Sequence, residues 1–275
     1  MPEAPEVETI RQTLLPCVKG RRIVDIRQSR FPLRTRFETS SFRFLEGQQI
    51  KSLRRHGKML WAETSDVGGF IVRLGMSGQF LFTPQKQKRA PHTHVTFSLE
   101  DAHQLRYVDP RRFGEVIPFQ QDSELDAYRK AMGPDVLDVL SSDNQALIVQ
   151  KLKGTTRAIK DVLLDQKVIA GLGNIYVCEV LFLARLSPFQ TGNHLSNKQI
   201  RQILEHTVKV NQIAISNGGT TLSDYRDGHG QRGRHQHHLA VFQRGGDPCM
   251  RCETPIENEH FRGRSTFFCP ACQSC

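Results

Sequence analysis

Apolar residues recur at helical spacing close to the start of the chain. Val7, Ile10 and Leu14 are three and four residues apart, which would place them on one face of a helix. Pro5 suits the first turn of such a helix, where its missing N–H is not needed. The pattern therefore predicts a helix from Pro5 to Leu15.

Beyond this helix the pattern changes to short apolar stretches separated by turns, which indicates strands. Val95, Phe97 and Leu99 alternate with polar residues, the period of a strand with one buried face. The strands predicted up to about residue 120 are Ile23–Ile26, Lys58–Glu63, Phe70–Leu74, Gln79–Phe82, His94–Leu99 and Leu105–Val108. Short strands in this arrangement predict a β-sandwich or a barrel.

Helical patterns dominate after Gly133-Pro134. The predicted helices are Asn144–Lys153, Thr156–Leu164, Asn174–Ala184 and Asn197–Asn217. A tight glycine turn, Ile169–Asn174, separates the second from the third, which predicts a unit like a helix-turn-helix. Gly218–Gln236 is either a linker or a long functional loop. Two further strands are predicted, Leu239–Arg244 and Thr266–Phe268.

Size and charge narrow the class of protein. A length of 275 residues favours two domains over one. There are 38 Lys and Arg residues against 28 Asp and Glu, a formal net charge of +10, so a nucleic acid is a natural partner. Many basic proteins nevertheless bind no polyanion. No apolar run approaches the roughly 18 residues of a membrane span, and the acidic start differs from a signal peptide. We therefore expect an intracellular protein.

Four of the seven cysteines form two C-x-x-C pairs near the end of the chain. The 16 residues between the pairs give a spacing typical of a zinc ribbon. Four thiolates complete a tetrahedral site without water, so the zinc is expected to be structural. A dithiol redox pair and an iron–sulfur site are the alternatives. Cys17 and Cys178 are predicted core residues and Cys275 a free thiol, whereas the predicted zinc ligands are Cys249, Cys252, Cys269 and Cys272.

Two other short features carry candidate chemistry. Removal of Met1 would leave Pro2 at the N-terminus, where its secondary amine can attack an electrophilic sugar carbon and form an iminium. Glu3 lies beside it and could move protons, although an ordinary N-terminus is the alternative. Arg262 and Arg264 flank a glycine just before the second cysteine pair. This is either a phosphate-binding hairpin tip or a solvated turn.

A series of further motifs accompanies the N-terminal proline and the cysteine pairs. The series comprises Pro2–Thr9, Gly57-Lys58, Leu74–Gly78, Asp109–Gly114, Ala158–Lys160, Gly173–Tyr176 and Gly218–Leu222. In this order, over essentially the whole chain, the motifs resemble the formamidopyrimidine-DNA glycosylase family. The resemblance implies an α+β fold. It places an N-terminal antiparallel β-sandwich with a leading helix at 1–132, a helix-two-turn-helix domain at 133–238 and a four-cysteine zinc finger with a β-hairpin at 239–275.

The resemblance also implies roles for single residues. Pro2 resembles the nucleophile at C1′ of a damaged nucleotide, and Glu3 resembles its acid/base partner. Lys58 and Arg264 resemble the proton donors of β- and δ-elimination. The side chains that resemble a wedge filling the gap left by the everted base are Met76, Arg111 and Phe113. Those that resemble phosphate contacts are His92, Lys160 and Asn174. The Gly218–Gln236 loop would close over the everted base.

The implied activity is that of a bifunctional DNA glycosylase and abasic-site lyase that excises oxidised purines. Its partner would be double-stranded DNA with oxidised bases or abasic sites, bound by a monomer in the bacterial cytoplasm. Two alternatives remain: an endonuclease VIII-like enzyme for oxidised pyrimidines, and an inactive damaged-DNA-binding protein.

Three positions depart from the family pattern. Ala4 stands where the family frequently has a leucine, and Arg73 stands where a histidine is common. Thr155 stands where the family often has a basic residue, and nearby Lys153 or Arg157 could substitute for that residue.

Overall fold

A computed structural model describes residues 2–35, 37–66 and 68–273. Contacts divide the chain into two compact units, Met1–Lys130 with Asn217–Gln236, and Ala131–Ser216 with His237–Cys275. Residues 217–236 thus group with the N-terminal unit, while the three domain boundaries given by the resemblance remain a prediction. The predicted fates of Met1 and Cys275 lie outside the described residues.

The first unit begins with helix α1 (Ala4–Val18), followed by strands that form two antiparallel sheets. The first sheet has the order β1-β6-β7-β5, and the second has the order β2-β3-β4-β8. The strands are β1 (Ile23–Gln28), β2 (Ile50–His56), β3 (Met59–Thr64), β4 (Gly69–Arg73), β5 (Gln79–Pro84), β6 (Thr93–Leu99), β7 (His103–Val108) and β8 (Glu115–Phe119). The unit also contains the 3-10 segment Thr39–Leu45, helix α2 (Asp122–Lys130) and the later segment 217–236.

Aromatic side chains join the two sheets of this unit into one core. The ring of Phe70 on β4 stacks on that of Phe97 on β6, with centroids 4.3 Å apart. Val7, Ile10 and Leu14 of α1 are buried in the same core, as their spacing predicts. The predicted antiparallel sandwich with a leading helix is confirmed.

Two strands of this unit escape the sequence pattern. In β2 a register shift between Ile50 and Ser52 breaks the alternation, and the remaining positions are mostly polar. β8 contains Pro118, which normally argues against a strand. β8 lies at the edge of its sheet, where a missing N–H can be tolerated.

The second unit contains the helices that the periodicity predicts. They are α3 (Ser142–Lys153), α4 (Ile159–Leu164), α5 (Asn174–Ala184) and α6 (Asn197–Ser216). Only the start of α4 differs by more than two residues from the prediction. Backbone pairing between Ala158 and Thr191 and a hydrogen bond from Ile159 N to Gln190 O hold this segment extended. No helix of the described residues is both long and apolar enough to cross a membrane.

The predicted strand Leu239–Arg244 is wrong. The backbone N–H groups of Ala240, Val241 and Phe242 donate to the Glu179 carboxylate at 2.7–3.0 Å and so cannot pair with a neighbouring strand. The real hairpin consists of β9 (Glu257–Phe261) and β10 (Arg264–Phe268). β9 was not predicted because its positions are almost all exposed and polar.

Candidate active site and zinc site

The N-terminal residues Pro2 and Glu3 are buried where α1 begins. Glu3 is the N-cap, and Glu6 Oε2 accepts its backbone N–H at 2.8 Å, so the two residues form a capping box. This arrangement fixes the backbone next to Pro2. The candidate nucleophile is therefore buried next to a backbone that the capping box of α1 holds in place.

The segment 217–236 is attached to the same helix. Glu6 Oε1 accepts the N–H of Thr220 at 2.7 Å, and Thr13 Oγ1 accepts that of Gly228 at 3.1 Å. The Tyr225 hydroxyl lies 3.1 Å from Gly218 O and 3.4 Å from Glu6 O. Burial raises the pKa of Tyr225, which keeps this hydroxyl a donor. One carboxylate thus connects the segment to the backbone beside Pro2.

The sequence alone does not predict a role for Glu6 or Tyr225. A capping box is visible in the sequence, because Glu6 follows three residues after Glu3. The bond to Thr220 is not visible, because its partner is 214 positions away. The contacts that fix the loop therefore require the three-dimensional structure.

Lys58 lies in the turn that joins β2 to β3 and is half-buried. The carbonyl of Gly57 accepts a hydrogen bond from Arg55 Nη1 at 2.9 Å, and Arg55 Nε pairs with Glu8 Oε2 on α1 at 3.1 Å. Burial opposes ionisation of Glu8, but hydrogen bonds and charge from Arg11 and Arg55 lower its pKa overall. An ionised Glu8 thus holds the turn that carries Lys58 on α1.

Two exposed loops carry the predicted wedge residues. Both apolar side chains of the wedge are accessible to solvent, since Met76 is 41% exposed and Phe113 is 48% exposed. The Arg111 guanidinium lies 4.8 Å from the centroid of the Phe113 ring. His92 is also exposed, and its carbonyl accepts the N–H of Asp109 at 3.0 Å. The structure therefore brings these four candidate DNA contacts to adjoining loops.

Buried Asp109 connects the two wedge loops. Its Oδ1 accepts the Ser77 hydroxyl at 2.6 Å and Arg111 N at 3.3 Å, while Oδ2 accepts Gly114 N at 2.9 Å. Gly114 has no room for a side chain, because a Cβ there would collide with the Tyr107 hydroxyl. This network determines where Met76, Arg111 and Phe113 project.

In the second unit, Lys160 and Asn174 both bind the hairpin strand that carries Arg264. Lys160 Nζ donates to Ser265 O at 2.9 Å and Thr266 Oγ1 at 2.6 Å, and Asn174 Nδ2 donates to Ser265 O at 2.9 Å. Lys160 is only 1% exposed, and burial lowers its pKa. Arg264 itself is exposed. In this structure the two side chains position the Arg264 strand, and their role as phosphate contacts remains a prediction.

Two arginines that bear on the departures from the family pattern, Arg73 and Arg157, form ion pairs with acidic residues. Arg73 Nη1 lies 3.3 Å from Glu115 Oε2, and its guanidinium lies over the Tyr128 ring. Arg157 is one of the two residues that could substitute for the basic residue missing at Thr155, and it pairs with Asp165 at 3.3 Å.

The four cysteines of the C-x-x-C pairs converge. Their Sγ atoms all lie within 4.8 Å of one another, and individual pairs are 3.4–4.0 Å apart. A tetrahedral zinc ion with bonds of about 2.3 Å requires sulfurs roughly 3.8 Å apart, so the site fits zinc. Four protein ligands leave no open position, and the ion is structural. The Arg251 guanidinium, over the Phe182 ring of α5, anchors the first pair.

Three family models match successive parts of the chain. Residues 1–116 match the formamidopyrimidine-DNA glycosylase N-terminal domain. Residues 132–226 match the H2TH domain of the same family, and residues 246–274 match the zinc finger found in FPG and IleRS.

Individual relatives match over nearly their full length. The formamidopyrimidine-DNA glycosylases of Listeria innocua and Geobacillus kaustophilus are each 38% identical, over 99% of this chain and 100% of theirs. A Lactococcus lactis Fpg complex with abasic-site DNA superposes with a TM-score of 0.90 at 33% identity, over 99% and 100% of the chains. The MutM (FPG) protein from Thermus thermophilus gives 0.87 at 36% identity, over 99% and 98%.

Proposed function

Because the chain belongs to the formamidopyrimidine-DNA glycosylase family, we propose that it excises oxidised purines from DNA and then cleaves the strand. It is a DNA glycosylase of base excision repair, and abasic-site lyase activity is characteristic of its family. The observation that supports the residue assignment most directly is the burial of Pro2 and Glu3 at the start of α1, beside the segment held by Glu6.

The Pro2 amine is the nucleophile. Its nitrogen attacks C1′, and the glycosidic bond breaks with its electron pair on the leaving base. The nitrogen then loses its proton, the C1′–O4′ bond opens with its electron pair on O4′, and an iminium forms. Glu3 accepts and returns protons at the sugar during ring opening. Abstraction of a C2′ proton then expels the 3′ phosphate by β-elimination, with Lys58 as the proton donor. A second elimination expels the 5′ phosphate, with Arg264 as the donor, and hydrolysis frees Pro2.

The exposed loops make this chemistry possible by removing the nucleotide from the stack. Eversion costs a few kcal/mol, which Met76 and Phe113 offset by filling the gap. Arg111 hydrogen-bonds the orphaned base opposite. The phosphate contacts are His92, Lys160 and Asn174. The segment 217–236 closes over the everted base and keeps water from it.

The zinc ion takes no part in bond breaking. It stabilises a hairpin that has too little core to fold alone, and it thereby holds Arg264 in place. The enzyme acts as a monomer in the cytoplasm, on the DNA of the nucleoid. The domain ranges 1–132, 133–238 and 239–275 follow the family's division and belong to the same proposal.

Borohydride trapping tests the nucleophile. The mature protein, incubated with duplex DNA containing an abasic site or 8-oxoguanine, should give a covalent adduct after reduction, because borohydride reduces the iminium. Pro2→Gly should lose most of it. The matched control is Arg264→Ala, which should still be trapped but stop at the β-elimination product. No adduct with the mature protein, or an undiminished one with Pro2→Gly, would exclude the proposed role.

The lesion class is tested on the same footing. We expect faster excision of 8-oxoguanine than of thymine glycol from otherwise identical duplexes. The reverse order would indicate a pyrimidine-specific enzyme, even if the adduct with Pro2 forms normally.

A further inference from the structure

An exposed aromatic residue outside the assigned site lies between two arginines. Phe31, which follows β1, is 52% exposed. The guanidinium of Arg30 lies 5.0 Å from the centroid of its ring, and that of Arg112 lies 5.9 Å from it. Arg112 is the residue between Arg111 and Phe113 of the candidate wedge. An exposed ring with two flanking guanidiniums is a surface on which a flat, electron-rich group can stack.

A chain of hydrogen bonds connects the backbone of Phe31 to the wedge loop. Phe31 N donates to Ser29 Oγ at 3.2 Å, and Ser29 Oγ lies 2.9 Å from His94 Nδ1. His94 Nε2 lies 3.0 Å from Asp109 O. That carbonyl can only accept, so Nε2 donates to it and Nδ1 accepts the serine hydroxyl. The same Asp109 whose side chain organises the wedge loops therefore also fixes Phe31.

A groove runs along one side of the ring. It has a volume of about 600 Å³ and is lined by 28–31, 89–90 and 92–94; we call it the Phe31 groove. Its charged side chains are those of Arg30 and Arg89, His92 and His94 also line it, and none of the described residues that line it is Asp or Glu. His92 is one of the predicted phosphate contacts. The groove thus offers a stacking surface and positive charge within one site, continuous with the candidate DNA surface.

We propose that the Phe31 groove binds one unpaired nucleobase of the DNA held at the lesion. This inference rests on the proposed function, because it assumes that the wedge loop lies in damaged DNA. The base stacks on Phe31 or on a guanidinium beside it, and the adjoining phosphate contacts Arg89 and His92. Apart from the orphaned base opposite the lesion, fully paired DNA has no unpaired base to offer, so the groove adds affinity only when a further base pair close to the lesion fails to form.

Fluorescence titration tests the groove. The substrates are duplexes with a reduced abasic site that resists cleavage, each carrying one 2-aminopurine, either paired or unpaired as a bulge, at successive positions on both strands. At one position we expect the protein to bind the unpaired form more tightly than the paired form. Phe31→Ala should weaken binding of the unpaired form by roughly 5- to 150-fold, the range for one base–aromatic stack. Phe31→Trp should retain it.

Two control variants separate stacking from general effects. Val24→Ala removes another exposed apolar side chain from β1, and Arg27→Ala removes one positive charge from the same strand. Neither should alter the preference for the unpaired duplex. No preference at any position, equal weakening of paired and unpaired binding by Phe31→Ala, or the same loss with Val24→Ala would overturn the proposal. Borohydride trapping by the wild-type protein is scored separately, so failure of the proposed chemistry is distinguishable.

Discussion

Single buried polar residues determine the geometry of the loops in the first unit. Asp109, which is 0% exposed, holds both wedge loops, and Glu6 holds both Glu3 N and Thr220 N. The sequence identifies Pro2, Glu3 and the cysteines because their chemistry depends on residue type and short spacing. It does not identify Asp109 as an organising residue, because the groups that its carboxylate accepts come from two separate loops.

His94 should make the first unit sensitive to acid. Burial lowers the pKa of His94 below its ordinary 6.5. Below about pH 6.5 His94 therefore binds a proton more readily in the unfolded chain than in the folded protein. Because the unfolded state binds more protons, the free energy of unfolding falls as the pH falls. Replacing His94 with Asn should reduce that dependence, measured by urea unfolding at about pH 7.5 and about pH 5.5.

Other histidines provide the comparison for this measurement. His206, whose pKa burial also lowers, stays in both proteins and retains part of the dependence. His260→Asn, at an exposed position of β9, should leave the pH dependence as in the wild type. An unchanged dependence in His94→Asn would contradict the assignment.

At the scale of secondary structure, periodicity predicts elements that have a regular buried face. It fails where hydrogen bonds to a side chain or to a neighbouring strand determine the backbone conformation. α5 was predicted with its observed bounds, Asn174–Ala184. Leu239–Arg244 is apolar enough for a strand, yet the Glu179 carboxylate takes up its backbone donors. β9 has no apolar face and exists because it pairs with β10. The missing information in both cases is the partner: for Leu239–Arg244 it is 61 positions away, and for β9 it is the adjacent strand β10, whose pairing leaves no apolar pattern in β9.

The attachment of the segment 217–236 to α1 should matter for base excision more than for strand cleavage. Glu6→Gln replaces one carboxylate oxygen with an N–H donor, which cannot accept both Glu3 N and Thr220 N. We expect about 1–3 kcal/mol less stability. We also expect roughly tenfold slower excision of 8-oxoguanine, as about 1.4 kcal/mol of lost positioning predicts. A preformed abasic site has no base to cover, so its cleavage should change less.

Comparison of kcat/KM on the two DNA substrates measures this difference. Glu100→Gln, at a carboxylate whose side chain is 46% exposed and pairs with Arg22, is the control and should leave both rates unchanged. An equal decrease on both substrates in Glu6→Gln would mean that the segment acts on the fold and not on the everted base.

For the whole molecule, a net charge of +10 indicated a polyanionic partner but not which one. The antiparallel sandwich, the helical unit and the zinc finger could be expected from the ordered motifs, but two of the eight strands of the sandwich, β2 and β8, could not. The contacts of Lys160 and Asn174 with Ser265 could not, because the hairpin lies about 90 to 105 residues further along the chain. These contacts connect the zinc finger to the helices that precede it.

Removal of zinc should abolish DNA binding and strand cleavage together. Without the ion the hairpin loses most of its stability, and Arg264 loses its fixed position. Cys249→Ala should have the same effect, measured by zinc content, gel shift and product analysis. Cys17→Ala, at a half-buried cysteine that is not one of the four zinc ligands, is the control. Normal binding and cleavage by a zinc-depleted protein would refute this role.

Burial of Pro2 restricts how the protein can be produced in recombinant form. Pro2 is buried, and a tag or cloning remnant in front of it converts the secondary amine to an amide, which has no nucleophilic lone pair. The other end requires care too, because Gln273 is buried, donates to Leu186 O and accepts from Cys269 N. A purification tag therefore belongs after Cys275, behind a flexible linker. A preparation with an uncleaved N-terminal tag would fold normally and still be inactive.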